Sequence, residues 1–487
     1  MTDSIKGPRL TRRSALAGVL GAAAAAAVTR PAAAQTPGRK PNILYIMADD
    51  LGYADLSCYG RREYETPVLD RLAAQGMMFM HAYANSAVCT ATRVALITGR
   101  YQYRLPVGLQ EPLGAQDVGL PGADEHPTIA SLMRDAGYRT TLIGKWHMGG
   151  LPKYGPLKSG YDEFWGLRGG GVDYYRHGFN GNVDLWDGDT KVEETGYMTD
   201  LLADRTIATL NRRAADKRPF FVSLHFTAPH WPWEGPEDEA ESNRLRALPG
   251  PDSLPSHDAG SLETFGRMVV ALDAEIGRVL ETLDELSIAD DTIVIFTSDN
   301  GGERYSDTWP FTGKKTELLE GGLRVPAIVR WPNGIRAGVT SDQVMISMDW
   351  LPTLLATGRA THRDAPVPDG IDLLPWLVAD RAPVSRTLFW RYHNMDQRAC
   401  RSGDLKYLKI LENEFLFDVV ADPLERANLK ERRPDEFARL KKAFDDWNAT
   451  MLQIGPDDFT AGGDTGAELA DHFGIRQRIT MPEKSTD

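Results

Sequence analysis

Short, nearly continuous apolar runs alternate along the chain with longer stretches in which apolar side chains recur every third or fourth position. Buried strands joined by amphipathic helices give this alternation. The first run, Pro41 to Ala48, ends on Asp49 and Asp50. Thr66-Pro67 opens a helix running to Gly76, with proline suited to the first helical position. The apolar stretch Met77 to Ala84 then leads to Cys89, which opens a helical segment closed by Gly99. His126-Pro127-Thr128 starts another helix ending near Gly137, and the strand Arg139 to Ile143 delivers Gly144-Lys145-Trp146-His147. A helix from about Asp200 to Ala215 precedes the strand Phe220 to Leu224, which leads to His225 and Pro229-His230. Met268, Leu272, Ile276, Leu280 and Leu283 mark a long amphipathic helix over Leu262 to Leu286. The strand Thr292 to Phe296 runs into Ser298-Asp299-Asn300-Gly301, and Ala327 to Trp331 is strand-like.

Up to about residue 385 the alternation predicts a mostly parallel α/β sheet with helices on both faces. Beyond it the runs shorten to Thr387–Tyr392, Leu405–Leu411 and Phe415–Asp418, which predict a small antiparallel sheet with a helix from Pro434 to Met451 against it. Residues 165–187, aromatic and glycine-rich, read as no regular element: either a packed surface loop or a wall of a substrate pocket. Residues 235–260 read as an exposed excursion and the last thirty or so as irregular. There are no internal repeats.

Composition changes the picture at the N-terminus. Thr11-Arg12-Arg13-Ser14, an alanine-rich apolar run and Ala32-Ala33-Ala34 make residues 1–34 a signal peptide of twin-arginine type, which implies a bacterial export route and a periplasmic or secreted protein. No later stretch is long and apolar enough for a membrane span. The chain carries a net charge of −13, and residues 1–34 hold five basic and one acidic side chain, so the remainder carries −17. So acidic a protein has no electrostatic reason to seek nucleic acid, and anionic substrates must be drawn by a local basic cluster. Three cysteines, Cys58, Cys89 and Cys400, form no disulfide framework; Cys58 and Cys400 are expected as two buried thiols.

Four predicted strand ends share one edge of the sheet: Asp49-Asp50, Lys145 to His147, His230 and Asp299-Asn300. Open α/β sheets bind ligands at this edge. Three carboxylates and an amide oxygen form a hard donor set for Ca²⁺ or Mg²⁺, whereas His and Cys are too scattered for zinc. Cys89 at a helix N-terminus reads in two ways: as a buried cysteine capping a core helix, or as part of an anion site where backbone N–H groups point outward and Arg93, one turn on, adds a fork of donors for a tetrahedral oxyanion.

Cys89-Thr90-Ala91-Thr92-Arg93, followed by Thr98-Gly99-Arg100, resembles the signature of the formylglycine-dependent sulfatases. From Pro41 to roughly Leu429 the chain matches that family's motifs in order. They are Asp49-Asp50-Leu51-Gly52, Gly144 to His147, Pro229-His230, Ser298 to Gly301, and Lys315 five residues before Glu320-Gly321-Gly322. Ala91 stands where the commoner motif has proline. The resemblance implies an alkaline phosphatase-like fold and hydrolysis of aryl or carbohydrate sulfate monoesters. Cys89 would be converted to formylglycine by a maturation enzyme, and one hydroxyl of the hydrated aldehyde would attack sulfur. By the same resemblance Asp49, Asp50, Asp299 and Asn300, with residue 89, would bind a divalent metal, usually Ca²⁺ (Mg²⁺ or Mn²⁺ are alternatives). Arg93, Lys145, His147, His230 and Lys315 would surround the sulfate, with His147 as the base that releases it and His230 or Lys315 protonating the leaving alcohol. The expected organisation is a catalytic α/β domain over 35–385 and an α+β subdomain over 386–487. Two rivals remain at this stage: a phosphonate monoester or phosphodiester hydrolase with the same nucleophile, and a catalytically silent glycan-binding protein.

Overall fold

The computed structural model describes residues 40–114, 117–179, 181–248, 260–361, 366–456 and 458–461. The expected signal peptide over 1–34 and the residues from 462 onward lie outside them.

A ten-stranded sheet forms the centre, in the order Val339–Ser341, Met77–Phe79, Ala327–Arg330, Thr292–Ser298, Asn42–Ala48, Phe220–His225, Arg139–Lys145, Glu163–Leu167, Trp186–Asp187, Thr190–Lys191. The five strands from Thr292–Ser298 to Glu163–Leu167 are mutually parallel, while Ala327–Arg330 runs antiparallel to its neighbour. The unbroken apolar character of Asn42–Ala48 follows from its central place. Ile43, Tyr45 and Met47 pack on one face with Ile129, Met133 and Leu354, and Leu44, Ile46 and Ala48 on the other with Leu202, Met268 and Leu272. The helices behind these residues are Ile129–Asp135 and Trp350–Thr357 on one side, and Met198–Ala215 and Leu262–Glu285 on the other. Asp273 of the long helix also accepts hydrogen bonds from Val68 and Leu69 N, at 3.0 and 2.8 Å, and so caps the helix Pro67–Ala74.

Two sequence expectations need correction. The stretch 165–187 is not without regular structure. Glu163–Leu167 is a strand of the main sheet, extended by Trp186–Asp187, and Gly166 sits where a Cβ would come within 2.1 Å of the Gly144 carbonyl oxygen. The excursion at 235–260 contains the helix Glu239–Arg246. Among the described residues Cys58 and Cys400 are free thiols, Cys400 buried and Cys58 only half-buried.

The C-terminal sheet, Thr387–Tyr392, Gln397–Ser402, Leu405–Ile410 and Asn413–Asp418, is antiparallel throughout, with the helix Pro434–Asn448 against it. Its other face meets the Cys89 helix: Leu388, Trp390 and Leu408 share a core with Val88, Ala91 and Ala95. A buried charge cluster locks the same junction. Glu320 accepts from Tyr83 Oη (2.5 Å), Arg324 Nε (2.7 Å) and Lys406 Nζ (3.0 Å), and Lys406 also pairs with Glu425 at 2.9 Å. Lys406, Glu320 and Glu425 are shielded from solvent, so removing the lysine takes from Glu425 the cation paired with it and from Glu320 one of its counter-charges. Lys406→Met should therefore cost about 3–5 kcal/mol, read as a lower urea midpoint; an unchanged midpoint would show that the cluster adds nothing to stability.

Candidate active site

Register explains why the functional side chains meet. Ala48 pairs with Ser298, Met47 with His225, and His225 with Gly144, so the carboxyl ends of four neighbouring strands fall level. Asp49, Asp299 and Lys145 leave the sheet at that edge. The helix Cys89–Thr98 is buried along its whole length, with Cys89 at its first position and no side chain capping it. Thr90 and Thr92 hydroxyls accept from Leu113 N (3.0 Å) and Ser86 N (2.9 Å), which ties the loops on either side to the first turn. Gly99, in the left-handed region at φ 66°, ends the helix as expected.

Cys89 Sγ lies 3.3 Å from His147 Nδ1. On the far side of the ring Nε2–H donates to the Leu113 carbonyl at 2.8 Å, which leaves Nδ1 as the nitrogen that can accept a proton at residue 89. Burial, then the Lys145 charge, holds His147 well below its ordinary range and so neutral. Burial also pushes the Cys89 thiol up. A thiol kept protonated is a poor nucleophile.

The carboxylates are packed against cations. Lys145 Nζ donates to Asp49 Oδ2 at 2.5 Å and Lys315 Nζ to Asp50 Oδ2 at 2.5 Å. Arg93 does not hold its fork open for an oxyanion: Nε and Nη2 both donate to Asp299 Oδ2, at 3.1 and 2.8 Å, and Nη1 donates to the Lys145 carbonyl at 3.1 Å. Its guanidinium is fully buried and orients Asp299, with Asp49 Oδ1 3.7 Å away. Burial, partly offset by Lys145, raises Asp49 well above the usual carboxylate range. Lys315, His230 and Lys145 overcome burial to hold Asp50 below it. His230 Nδ1–H donates to the Trp231 carbonyl at 2.5 Å and Nε2 faces Asp50 Oδ2 at 3.6 Å; burial and Lys315 bring its pKa down to about 3.

Two oxygens in this crowd have no hydrogen-bond donor. Asn300 Nδ2 donates to Asp50 Oδ1 at 2.7 Å and to the Gly301 carbonyl at 2.8 Å, which leaves its buried Oδ1 unpartnered, and Asp49 Oδ1 is likewise unpartnered. Buried acceptors are rarely left in this state. Ligand atoms of Asp49, Cys89 and Asp299 lie within 4.8 Å of one another, as do those of Asp49, Asp50 and His230. The donor set fits a hard divalent cation.

The family profile described as Sulfatase matches residues 41–358. The chain belongs to the sulfatase family. N-acetylgalactosamine-6-sulfatase of Homo sapiens is 32% identical over 375 residues, 72% of this chain and 68% of that protein. Arylsulfatase A of Homo sapiens is 31% identical over 430 residues, 80% and 79% of the two chains. Among solved structures, that of Ps i-CgsB in complex with k-i-k-neocarrahexaose superposes with a TM-score of 0.78 at 28% identity, covering 88% of this chain and 96% of that one. The protein is thus a sulfuric ester hydrolase with the alkaline phosphatase-like fold, and a silent binding protein is no longer a competing account.

The sulfatase brings every residue named from sequence into one cluster: Cys89, Arg93, Lys145, His147, His230 and Lys315 around Asp49, Asp50, Asp299 and Asn300. Sequence reasoning missed four contributors. The Leu113 carbonyl that sets the His147 tautomer carries no side-chain signal. His225 ends a central strand, and its Nδ1 lies 3.4 Å from Arg93 Nη1, so its place at the strand end was the available clue. Glu303 lies 3.5 Å from Lys315 Nζ. Gly170 and Gly171 form the last element, since a Cβ on Gly170 would meet the His147 ring at 2.4 Å and one on Gly171 the His230 ring at 3.0 Å. The His147 ring is pinned between Sγ and a carbonyl and cannot yield cheaply. Gly170→Ala should therefore cut kcat by about 10–100-fold by displacing a ring that must be placed to within an ångström, and cost about 1–3 kcal/mol of stability as overpacking does; wild-type kcat would show that the loop does not set the ring position.

Proposed function

We propose that the enzyme hydrolyses saccharide sulfate esters, with a formylglycine made from Cys89 as its nucleophile and a divalent cation, usually Ca²⁺, held by Asp49, Asp50, Asp299, Asn300 and residue 89. The observation that carries this reading is Cys89 Sγ at 3.3 Å from a proton-accepting His147 nitrogen, beside two buried oxygens without donors. The raised thiol pKa supports a nucleophile other than the cysteine itself. N-acetylgalactosamine-6-sulfatase among the relatives, and the neighbour solved with k-i-k-neocarrahexaose, favour a sugar over a simple aryl alcohol.

When bound, the cation supplies positive charge that offsets repulsion between an anionic ester and its attacker. The hydrated formylglycine supplies two hydroxyls, one for attack at sulfur and one whose deprotonation expels sulfate. The remaining work falls to the chain. His147 takes a proton at residue 89 through Nδ1, because Nε2–H is committed to Leu113. Lys145 and Lys315 compensate the sulfate charge; burial opposes the charged form of Lys315, but Asp50 and Glu303 raise its pKa well above the ordinary value. Lys315 carries the proton that can pass to the leaving oxygen, while His230, neutral with Nδ1–H committed to the Trp231 carbonyl, presents Nε2 as an acceptor beside it. Arg93 keeps Asp299 in place.

The twin-arginine pattern of residues 1–34 supports export to the periplasm or beyond. Among the described residues no helix is long and apolar enough to cross a membrane. Residues 35–385 would form the catalytic unit, and 386–487 would brace it.

Mass spectrometry of the protein from its own host should find the tryptic peptide ending at Arg93 lighter by about 18 Da; an intact thiol there would remove the nucleophile. Ca²⁺ at a hundredfold above its Kd should add about 2.7 kcal/mol of stability, reversed by chelator and absent in Asp299→Asn. Activity on sulfated sugars should exceed that on an aryl phosphonate, and the reverse preference would favour the phosphonate hydrolase.

A further inference from the structure

The Leu113 carbonyl that sets the His147 tautomer sits in a stretch, residues 110–114, that belongs to no helix and to none of the named strands. It is gripped from two sides. On one, Thr90 Oγ1 of the nucleophile helix accepts from Leu113 N at 3.0 Å. On the other, residues 458–461 lie parallel to residues 110–111, with a bridge between Glu111 and Thr460. Glu111 N donates to the Phe459 carbonyl at 2.8 Å, and Ala461 N to the Glu111 carbonyl at 2.6 Å. Side chains double that grip: Gln110 Nε2 donates to Asp458 Oδ1 at 2.9 Å, Phe459 N to Gln110 Oε1 at 3.2 Å, and Thr460 Oγ1 to Glu111 Oε2 at 3.1 Å. His393 N, from the end of a strand of the C-terminal sheet, donates to the same Oε2 at 2.8 Å. Gln110 and Glu111 are buried, whereas Phe459, the one large apolar side chain of the strap, is 44% exposed. Polar contacts rather than apolar burial therefore hold the strap.

Such a segment adds little to the core, yet it reaches the acceptor on which the state of His147 depends. If Leu113 drifted, Nε2–H would lose its partner and the ring would be free to carry its proton on Nδ1, the nitrogen 3.3 Å from residue 89. The base would then be lost while attack at sulfur was not. We propose that Glu111, held by residues 458–461, is a positioning residue for sulfate release. It keeps the Leu113 carbonyl on Nε2–H, and Nδ1 open to take the proton of the remaining hydroxyl at residue 89. The electron pair of that O–H bond closes the C=O bond as the C–O bond to sulfate breaks, so one sulfate leaves for each proton taken. The proposal rests on the formylglycine reading above, and it gives a part in the chemistry to a segment beyond the residues the family profile matches.

Two measurements on the full chain test it. The first is ¹⁵N NMR of the histidines in protein whose residue 89 is still cysteine, with the His147 signals assigned by their loss in His147→Asn. Wild type should show the Nε2–H tautomer; Glu111→Ala, and Ala461→Pro, which removes the donor to the Glu111 carbonyl, should show a share of Nδ1–H. Burial pushes Glu111 up to about 8, so near neutral pH it is a neutral acid that glutamine matches in shape, and Glu111→Gln should keep the wild-type tautomer. The second is the kinetics of the matured enzyme on 4-nitrophenyl sulfate. In Glu111→Ala and Ala461→Pro, kcat should fall about tenfold, the weight of one hydrogen bond. KM should fall with it, kcat/KM should stay near wild type, and one nitrophenol per enzyme should appear in a burst. Glu111→Gln should behave as wild type. An unmoved tautomer, wild-type kinetics in both disrupting variants, a lower kcat at unchanged KM with no burst, or Glu111→Gln no better than Glu111→Ala would overturn the positioning role alone. An intact thiol at residue 89 in active wild type would overturn the formylglycine reading, and with it the release step given to Glu111.

Discussion

The structure depends on holding three carboxylates, Asp49, Asp50 and Asp299, at one buried sheet edge. Alone they would repel one another and take up protons. Each has its own counter-charge from a different part of the chain: Lys145 from the next strand but one, Lys315 from the loop after Asn300, and Arg93 from the nucleophile helix. The surplus acceptors, Asp49 Oδ1 and Asn300 Oδ1, point to a further cation that the described side chains do not supply. Strand register, loop lengths and helix placement all serve to keep this balance within hydrogen-bonding distance.

Support for that edge comes in two shells of different chemistry. Nearest to it, glycines let backbone press where side chains would intrude: Gly144 against the His225 carbonyl, Gly301 against the Gly321 carbonyl, Gly170 against the His147 ring. Farther out, the apolar junction of Trp390 and Leu408 with Ala91 and Ala95 backs the Cys89 helix, and Trp390 Nε1 donates to the Ala84 carbonyl at 2.9 Å. The first shell fixes where the reacting groups stand, and the second keeps the helix that carries residue 89 from drifting.

Much of this was legible in the sequence, because buried parallel strands read as apolar runs and the acids that end them stand out against those runs. What was not legible lacked a side-chain signal. The end of the strand Glu163–Leu167, from Trp165 on, reads as loop because Gly166, required for close approach to Gly144, looks like a turn residue. Gln397–Ser402 escaped notice because its arginines and glutamine are polar, although Ala399, Cys400 and Arg401 are buried between neighbouring strands. The engagement of Arg93 with Asp299 was hidden for another reason: the motif names an arginine but not the direction of its fork. Backbone contributors such as the Leu113 carbonyl can be found only once the chain is folded.

The Glu320 cluster also bears on how the chain divides. The residues matched by the family profile stop at 358, yet the cations and acids that complete the cluster include Lys406 and Glu425, far beyond it. Glu320 begins the turn whose Gly322 carbonyl accepts from Gly301 N at 3.0 Å, next to Asn300. A chain cut after the matched region would keep every residue proposed above to hold the sulfate and the cation, and would still leave Glu320 buried without Lys406, on the turn that holds the acidic edge in place. The end of the profile match is therefore not a boundary of folding, and a ribosome must pass residue 425 before the acidic edge has all its internal supports.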